Sequence, residues 1–222
     1  MKTLALLARK GGAGKTTLAI HLAVIAARTG RRVLLVDTDP QRSAAAWWRS
    51  RPADVPELVE TDATKLPAVL AAAEEAGVDL VVVDTRPSVE ADTGTVAKLA
   101  DLVLIPTRPA ILDLRAIAET VRTVRNTKTA AVIVLNATPA GRVGVGVREA
   151  GITLEARRAL QAYDVPVAPV AITNRADLAH ALTGGLAINE FAPRSKGAAE
   201  LNQLFKIVEG SLWPKQQRAA RR

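Results

Sequence analysis

Residues 10–17 read Lys-Gly-Gly-Ala-Gly-Lys-Thr-Thr, between a short apolar run and an amphipathic one. Gly14-Lys15-Thr16 matches the end of the phosphate-loop pattern G-x-x-x-x-G-K-[ST]. The glycine that opens that pattern is replaced by Arg9, and Lys10, Gly11 and Gly12 follow it instead. Gly11, Gly12, Ala13 and Gly14 let backbone N–H groups turn toward an anion at a helix N-terminus. Lys15 would bridge the β- and γ-phosphates of a nucleotide and the Thr16 hydroxyl would ligate Mg²⁺. Thr17 would reach the α-phosphate. One lysine already serves the phosphates, so Lys10 has another task.

Two acidic motifs follow apolar runs. Leu34-Leu35-Val36 leads into Asp37-Thr38-Asp39-Pro40-Gln41, and Val81-Val82-Val83 leads into Asp84-Thr85. In open parallel sheets ligands bind beyond the carboxyl ends of the strands, where all three aspartates are expected. Mg²⁺ takes oxygen ligands, and a carboxylate beside a γ-phosphate can position an attacking water. An isolated Asp after a strand is ordinarily a cap or turn residue; the phosphate loop upstream favours a role at the ligand.

Short apolar runs alternate with helical ones throughout. Strands are expected at Thr3–Ala8, Val33–Val36, Leu58–Glu60 (an edge), Leu80–Val83, Leu102–Ile105, Ala130–Leu135 and Val167–Ile172. Helices are expected at Thr16–Thr29, Ser43–Arg49, Leu66–Ala76, Val96–Ala100, Asp113–Arg125 with Asp113 as N-cap, Ile152–Tyr163, Ala176–Leu182, and from a Ser195 cap to Leu212. The glycine-rich stretch 138–146 reads as a loop. This alternation implies an α/β fold, a mostly parallel twisted sheet with helices on both faces. The 222 residues form one domain, with a basic tail at about 214–222.

Hydrophobic residues make up 49% and aromatics only 3%, so the core is built of Ala, Val, Leu and Ile. The absence of cysteine excludes disulfides, iron–sulfur clusters, thiolate zinc sites and cysteine nucleophiles. Met1-Lys2 leads straight into a strand and no apolar run approaches ~20 residues, so a cytoplasmic protein is expected. A net charge of +8 favours polyanionic partners.

Together, Lys10 to Thr17, Asp37-Thr38-Asp39-Pro40-Gln41 and Asp84-Thr85 resemble the deviant Walker ATPases of the ParA/MinD family. The likeness continues in Leu104-Ile105-Pro106, Leu135-Asn136 and Glu190-Phe191-Ala192-Pro193-Arg194-Ser195-Lys196. It covers essentially the whole chain and is nearest to short ParA proteins that lack an N-terminal helix-turn-helix domain. The resemblance implies a three-layer P-loop NTPase fold, ATP and ADP as ligands with Mg²⁺, and an ATP-bound sandwich homodimer. It gives Lys10 the task of crossing the dimer interface to the partner's phosphates, Asp39 that of orienting the hydrolytic water, and Asp84 a link to Mg²⁺ beside Thr16 and Asp37. Asn136 corresponds to a position near the adenine, and Thr173-Asn174 would flank the base. Arg86 departs from the family's usual small residue or proline, and is read as a solvent or interface residue.

The resemblance also implies non-specific DNA binding by the ATP dimer, nucleoid association, and hydrolysis stimulated by a ParB-like centromere-binding partner. Arg142, Arg148, Arg157, Arg158, Lys196, Lys206, Lys215 and Arg218 are the basic residues expected to meet DNA. Plasmid or chromosome partition is the expected task. The rival is a MinD-like or cargo-positioning ATPase acting at a membrane or on a protein assembly. Stable membrane association is not expected, because the apolar face of the last helix is read as core and Pro214 ends it. Metabolic relatives on this fold require cysteines, a second domain or a tyrosine cluster, and the chain has only Tyr163.

Overall fold

A computed structural model describes residues 1–87, 90–141, 143–144, 146–147 and 150–214. Strands β1 (Lys2–Leu6), β2 (Val33–Asp37), β3 (Glu57–Glu60), β4 (Leu80–Asp84), β5 (Leu102–Thr107) and β6 (Ala131–Leu135) form one sheet in the order β3-β2-β4-β1-β5-β6. Every pairing in it is parallel. β2, β4 and β5 are buried at every position, which is why their sequences are continuous apolar runs without alternation. β3 is exposed at both ends, as an edge strand should be.

Parallel neighbours require crossovers, and the helices that supply them cover both faces. On one face lie α1 (Lys15–Ala27), α2 (Ser43–Arg49), α7 (Ala176–Thr183), α8 (Ile188–Phe191) and α9 (Lys196–Leu212), packed through Leu18, Leu22, Trp47, Leu201 and Leu204. On the other lie α3 (Leu66–Glu75), α4 (Glu90–Leu99), α5 (Ile111–Thr127) and α6 (Gly151–Leu160), packed through Leu66, Val96, Ile117, Val121 and Leu160. This is the three-layer α/β fold expected from the sequence. Ser195 caps α9, its Oγ accepting from the Ala198 amide at 3.1 Å. Leu201, Leu204, Phe205, Val208 and Leu212 of α9 are buried in the core, so that face offers nothing to a bilayer. Among the described residues no helix is long and apolar enough to cross a membrane.

Four local expectations need correction. Val167–Ile172 does not form a full strand. It runs beside β6, bridging to it at Ile133↔Val167, and a further bridge, Thr138↔Thr173, lies just past both segments. Pro166 and Pro169 lack the N–H groups that a continuous ladder requires. α5 starts at Ile111, with Ala110 as N-cap and Asp113 inside the first turn. Ile111 and Leu112 are each 62% exposed, so the amphipathic pattern conceals this first turn. α4 begins six residues before Val96, at Glu90. Within the 138–146 stretch, β7 (Val143–Gly144) pairs antiparallel with β8 (Gly146–Val147).

Candidate nucleotide-binding site

The loop between β1 and α1 is held in one conformation by two glycines and one asparagine. Gly12 (φ +72°) and Gly14 (φ +96°) occupy left-handed backbone that side-chain-bearing residues rarely adopt. Gly14 is the N-cap of α1, and its carbonyl accepts the Leu18 amide at 3.0 Å. A Cβ on Gly14 would lie 2.0 Å from Nδ2 of Asn136, and that amide donates to the Ala13 carbonyl at 2.8 Å. Asn136 thus reaches from the end of β6 to brace the loop, and the Asn136 backbone amide donates to Thr107 O at 2.8 Å.

The carboxyl ends of β2 and β4 deliver the acidic residues, with Asp37 and Asp84 side by side in register. Thr38 seals this edge. Its amide and hydroxyl both donate to the Asp84 carbonyl, at 2.9 and 2.8 Å. The Thr85 hydroxyl donates to Leu6 O at 2.6 Å and ties β4 to β1.

The three aspartates differ in what they have left to offer. Asp37 is fully buried. Its Oδ1 accepts the Asp39 amide and its Oδ2 the Ala45 amide, each at 3.0 Å. It serves as the missing cap of α2, whose own N-cap is Arg42, in left-handed backbone and without a side-chain cap bond. Burial pushes the Asp37 carboxyl up, and those two amide bonds and Arg42 oppose the shift. Asp39 is buried, with Oδ1 accepting the Gln41 amide at 2.9 Å.

Asp84 is fully buried, and among the described residues neither carboxylate oxygen has a hydrogen-bond partner of normal geometry. Burial pushes its pKa up to about 7, offset in part by the nearby Thr16 hydroxyl and by Lys15. A buried, unpartnered carboxylate beside a threonine hydroxyl fits a hard cation that brings its own waters. Thr16 and Asp84 therefore fit Mg²⁺ better than Asp37 does. Lys15 is buried within the same group; burial lowers its pKa, and the charges of Asp84 and Asp39 oppose the shift.

Lys10 stands apart from Lys15. It is 42% exposed and pairs with Asp113 of α5, Nζ to Oδ2 3.5 Å. Beyond β6, Thr173 meets Glu200 of α9, which accepts both its amide and its hydroxyl at 2.9 Å, and the Asn174 amide donates to Thr138 O at 2.8 Å. Asn136, Thr173 and Asn174 thus share the edge of the sheet next to the loop.

Of the residues expected to meet DNA, those that are described lie on both sides of the sheet. Arg158 lies exposed on α6, whereas Lys196 and Lys206 lie exposed on α9, across the sheet. Arg157 donates to the carbonyls of Ala168 and Pro169, at 2.6 and 3.2 Å, and so fastens the segment that the prolines keep out of the sheet. Arg142, Arg148, Lys215 and Arg218 lie outside the described residues. The tryptophans pack: Trp47 is 6% exposed, the Trp48 indole donates to Pro56 O at 2.7 Å, and Arg31 stacks 4.5 Å above the Trp213 ring.

The family model for the CobQ/CobB/MinD/ParA nucleotide-binding domain matches residues 4–188, most of the chain. The chain belongs to this family. A maintenance of carboxysome distribution protein A from Gloeobacter kilaueensis is 36% identical over 215 residues, covering 95% of this chain and 94% of that protein. Its namesake from Halothiobacillus neapolitanus is 32% identical over 93% of this chain and 95% of its own length. The chromosome-partitioning ATPase Soj of Thermus thermophilus is 33% identical, over 53% of this chain and 59% of its own length. Among solved structures, apo McdA of Cyanothece superposes with a TM-score of 0.77 at 19% identity, over 96% of this chain and 99% of that one. MinD of Pyrococcus horikoshii complexed with Mg-ADP gives 0.73 at 19% identity, over 94% and 96%. At such identities the superpositions establish the shared ParA/MinD fold.

Proposed function

We propose that this ParA/MinD-family protein is a Mg²⁺-dependent ATPase that dimerises on binding ATP and, in that state, holds a DNA matrix from which it positions a cargo. The observation that carries this reading is the pair of unlike lysines on one loop. Lys15 is buried against Asp84 and Asp39, where it can serve a bound phosphate chain. Lys10 is half-exposed and pairs with Asp113 across 3.5 Å, and its exposed side faces outward, where a second copy could meet it. A cation delivered by a partner would complete the site only in the dimer and so couple nucleotide state to oligomeric state.

In this scheme Thr16 and Asp84 would hold Mg²⁺, which would supply positive charge against the phosphate chain. Thr17 and the loop amides orient the phosphates, and Asp39, fixed by the Asp37 carboxylate and the Gln41 amide, positions the attacking water. Asn136, Thr173 and Asn174 border the base. ADP formation releases the dimer, and a partner protein bound to the cargo accelerates that step.

The relatives aligned over nearly the whole chain are named for carboxysome distribution, which supports a protein assembly as cargo. A second reading, plasmid or chromosome partition with a ParB-like partner, is supported by shorter alignments to Soj and ParA. Under either reading the protein would act in the cytoplasm, on the nucleoid. The test is a DNA-binding titration with ATP, ADP and no nucleotide at two salt concentrations. ATP-dependent binding that falls steeply with salt is expected. Binding indifferent to nucleotide, or transferred to anionic liposomes, would reject the DNA-matrix reading. Deletion in the host then separates the cargoes: a protein assembly loses its spacing, or a replicon is lost.

A further inference from the structure

Arg108 lies in the turn between β5 and α5, and nothing in the phosphate-loop pattern points to it. Its guanidinium nevertheless lies across the loop: a Cβ built on Gly12 would sit 2.8 Å from Nη2 and 3.5 Å from Cζ of Arg108. The approach is fixed from both sides. The residue after Arg108 is the buried Pro109, which restricts Arg108 to extended backbone. The residue before it, Thr107, accepts the Asn136 amide, and Asn136 in turn holds the Ala13 carbonyl. Loop, Asn136, Thr107 and Arg108 thus form a closed circuit around residues 12–14.

The charges at this end of the loop are unevenly matched. Arg9 pairs with Glu119 and Lys10 with Asp113, both on α5, and Lys15 is flanked by Asp84 and Asp39. Arg108 is exposed, and no carboxylate among the described residues pairs with it. An arginine stays charged at any working pH and presents a planar fork suited to phosphate oxygens. Gly12 adjoins the Lys10 end of the loop, opposite the start of α1 where Thr17 meets the α-phosphate. A cation over Gly12 therefore faces the terminal phosphate.

We propose that Arg108 is a third phosphate-binding cation of this site, supplied by the same copy and directed at the terminal phosphate of a nucleoside triphosphate. The assignment rests on the phosphate-loop reading above. It gives the site a means of telling triphosphate from diphosphate before any dimer forms. Lys10 would then complete a site that Arg108 has already biased toward the triphosphate.

The test is equilibrium binding of fluorescent ATPγS and ADP with Mg²⁺ to the wild type, Arg108→Ala, Arg108→Lys and Lys15→Ala, repeated in a Lys10→Ala background. Loss of a charge-assisted contact should weaken ATPγS binding by Arg108→Ala roughly tenfold or more. ADP affinity should change by less than about threefold, and Arg108→Lys should recover part of the loss. The same ratio should persist in the Lys10→Ala background. Unchanged ATPγS affinity, or equal losses for both nucleotides, would overturn the assignment. Disappearance of the effect without Lys10 would overturn its intramolecular character. If the wild type binds neither nucleotide, or Lys15→Ala binds both normally, the phosphate-loop reading fails first and Arg108 with it.

Discussion

Replacing Gly14 by alanine separates two contributions at the heart of the loop. Residue 14 sits at φ +96°, where a Cβ costs roughly 1–2 kcal/mol. The new Cβ also meets Asn136 Nδ2 at 2.0 Å, over an ångström inside any normal contact, so the amide must retreat. Its 2.8 Å bond to the Ala13 carbonyl is then lost, and Ala13 is only 2% exposed. An unsatisfied buried carbonyl costs about 1–3 kcal/mol. The total is roughly 2–5 kcal/mol, or about 4–20 °C in Tm for a chain of this size. A double-mutant cycle with Asn136→Ala, followed by urea unfolding, isolates the second part. In the Asn136→Ala background Gly14→Ala should cost only the backbone contribution, about 1–2 kcal/mol, and Mg-ATP binding should be weak in all three variants. Strict additivity would refute the brace between Asn136 and the loop.

Asp39→Ala should slow phosphate release by roughly 10²–10⁴-fold, the range for a lost general base, while ATP-dependent dimers persist; normal turnover would remove Asp39 from the role of positioning water. A pH effect follows from His21, which is buried with Nδ1 accepting the Ile188 amide at 3.1 Å and Nε2 without a partner among the described residues. Burial pushes its pKa down to about 4, with Glu190 opposing. The folded state keeps His21 neutral while the unfolded chain protonates it near 6.5. Stability is therefore complete above that pH and is lost as pH falls from about 6.5 to 4, on the order of 3 kcal/mol. His21→Asn, which retains an acceptor, should flatten that part of the urea-unfolding pH profile; an unchanged slope would contradict the assignment.

What the sequence disclosed is what local spacing encodes. The phosphate loop, the acidic residues ending β2 and β4, and the Ser195 cap all depend on neighbours within a few residues. That helices cover both faces of the sheet followed from uninterrupted apolar runs. What stayed hidden depends on contacts between distant segments. Asp37 spends both oxygens on amides of Asp39 and Ala45, a use that its position after a strand does not reveal. Arg157 looks like a surface cation and proves to be a fastener for a proline-broken segment. Asn136 was legible as a position near the site, but its hold on Ala13 spans 123 residues of chain. Arg108 had no sequence signal beyond the prolines on either side of its turn. Among the described residues expected to meet DNA, Arg158 and Lys196 lie on opposite sides of the sheet because α6 and α9 cover different faces, a separation that spacing along the chain does not show.

Under the proposed function, Lys10 makes dimerisation depend on the nucleotide. The most direct measurement is the solution mass of the wild type and of Lys10→Ala by sedimentation velocity, each with Mg-ATPγS and with Mg-ADP. The wild type should double its mass with ATPγS alone, while Lys10→Ala should bind the nucleotide and stay monomeric. A Lys10→Ala protein that dimerises as the wild type does would contradict this role.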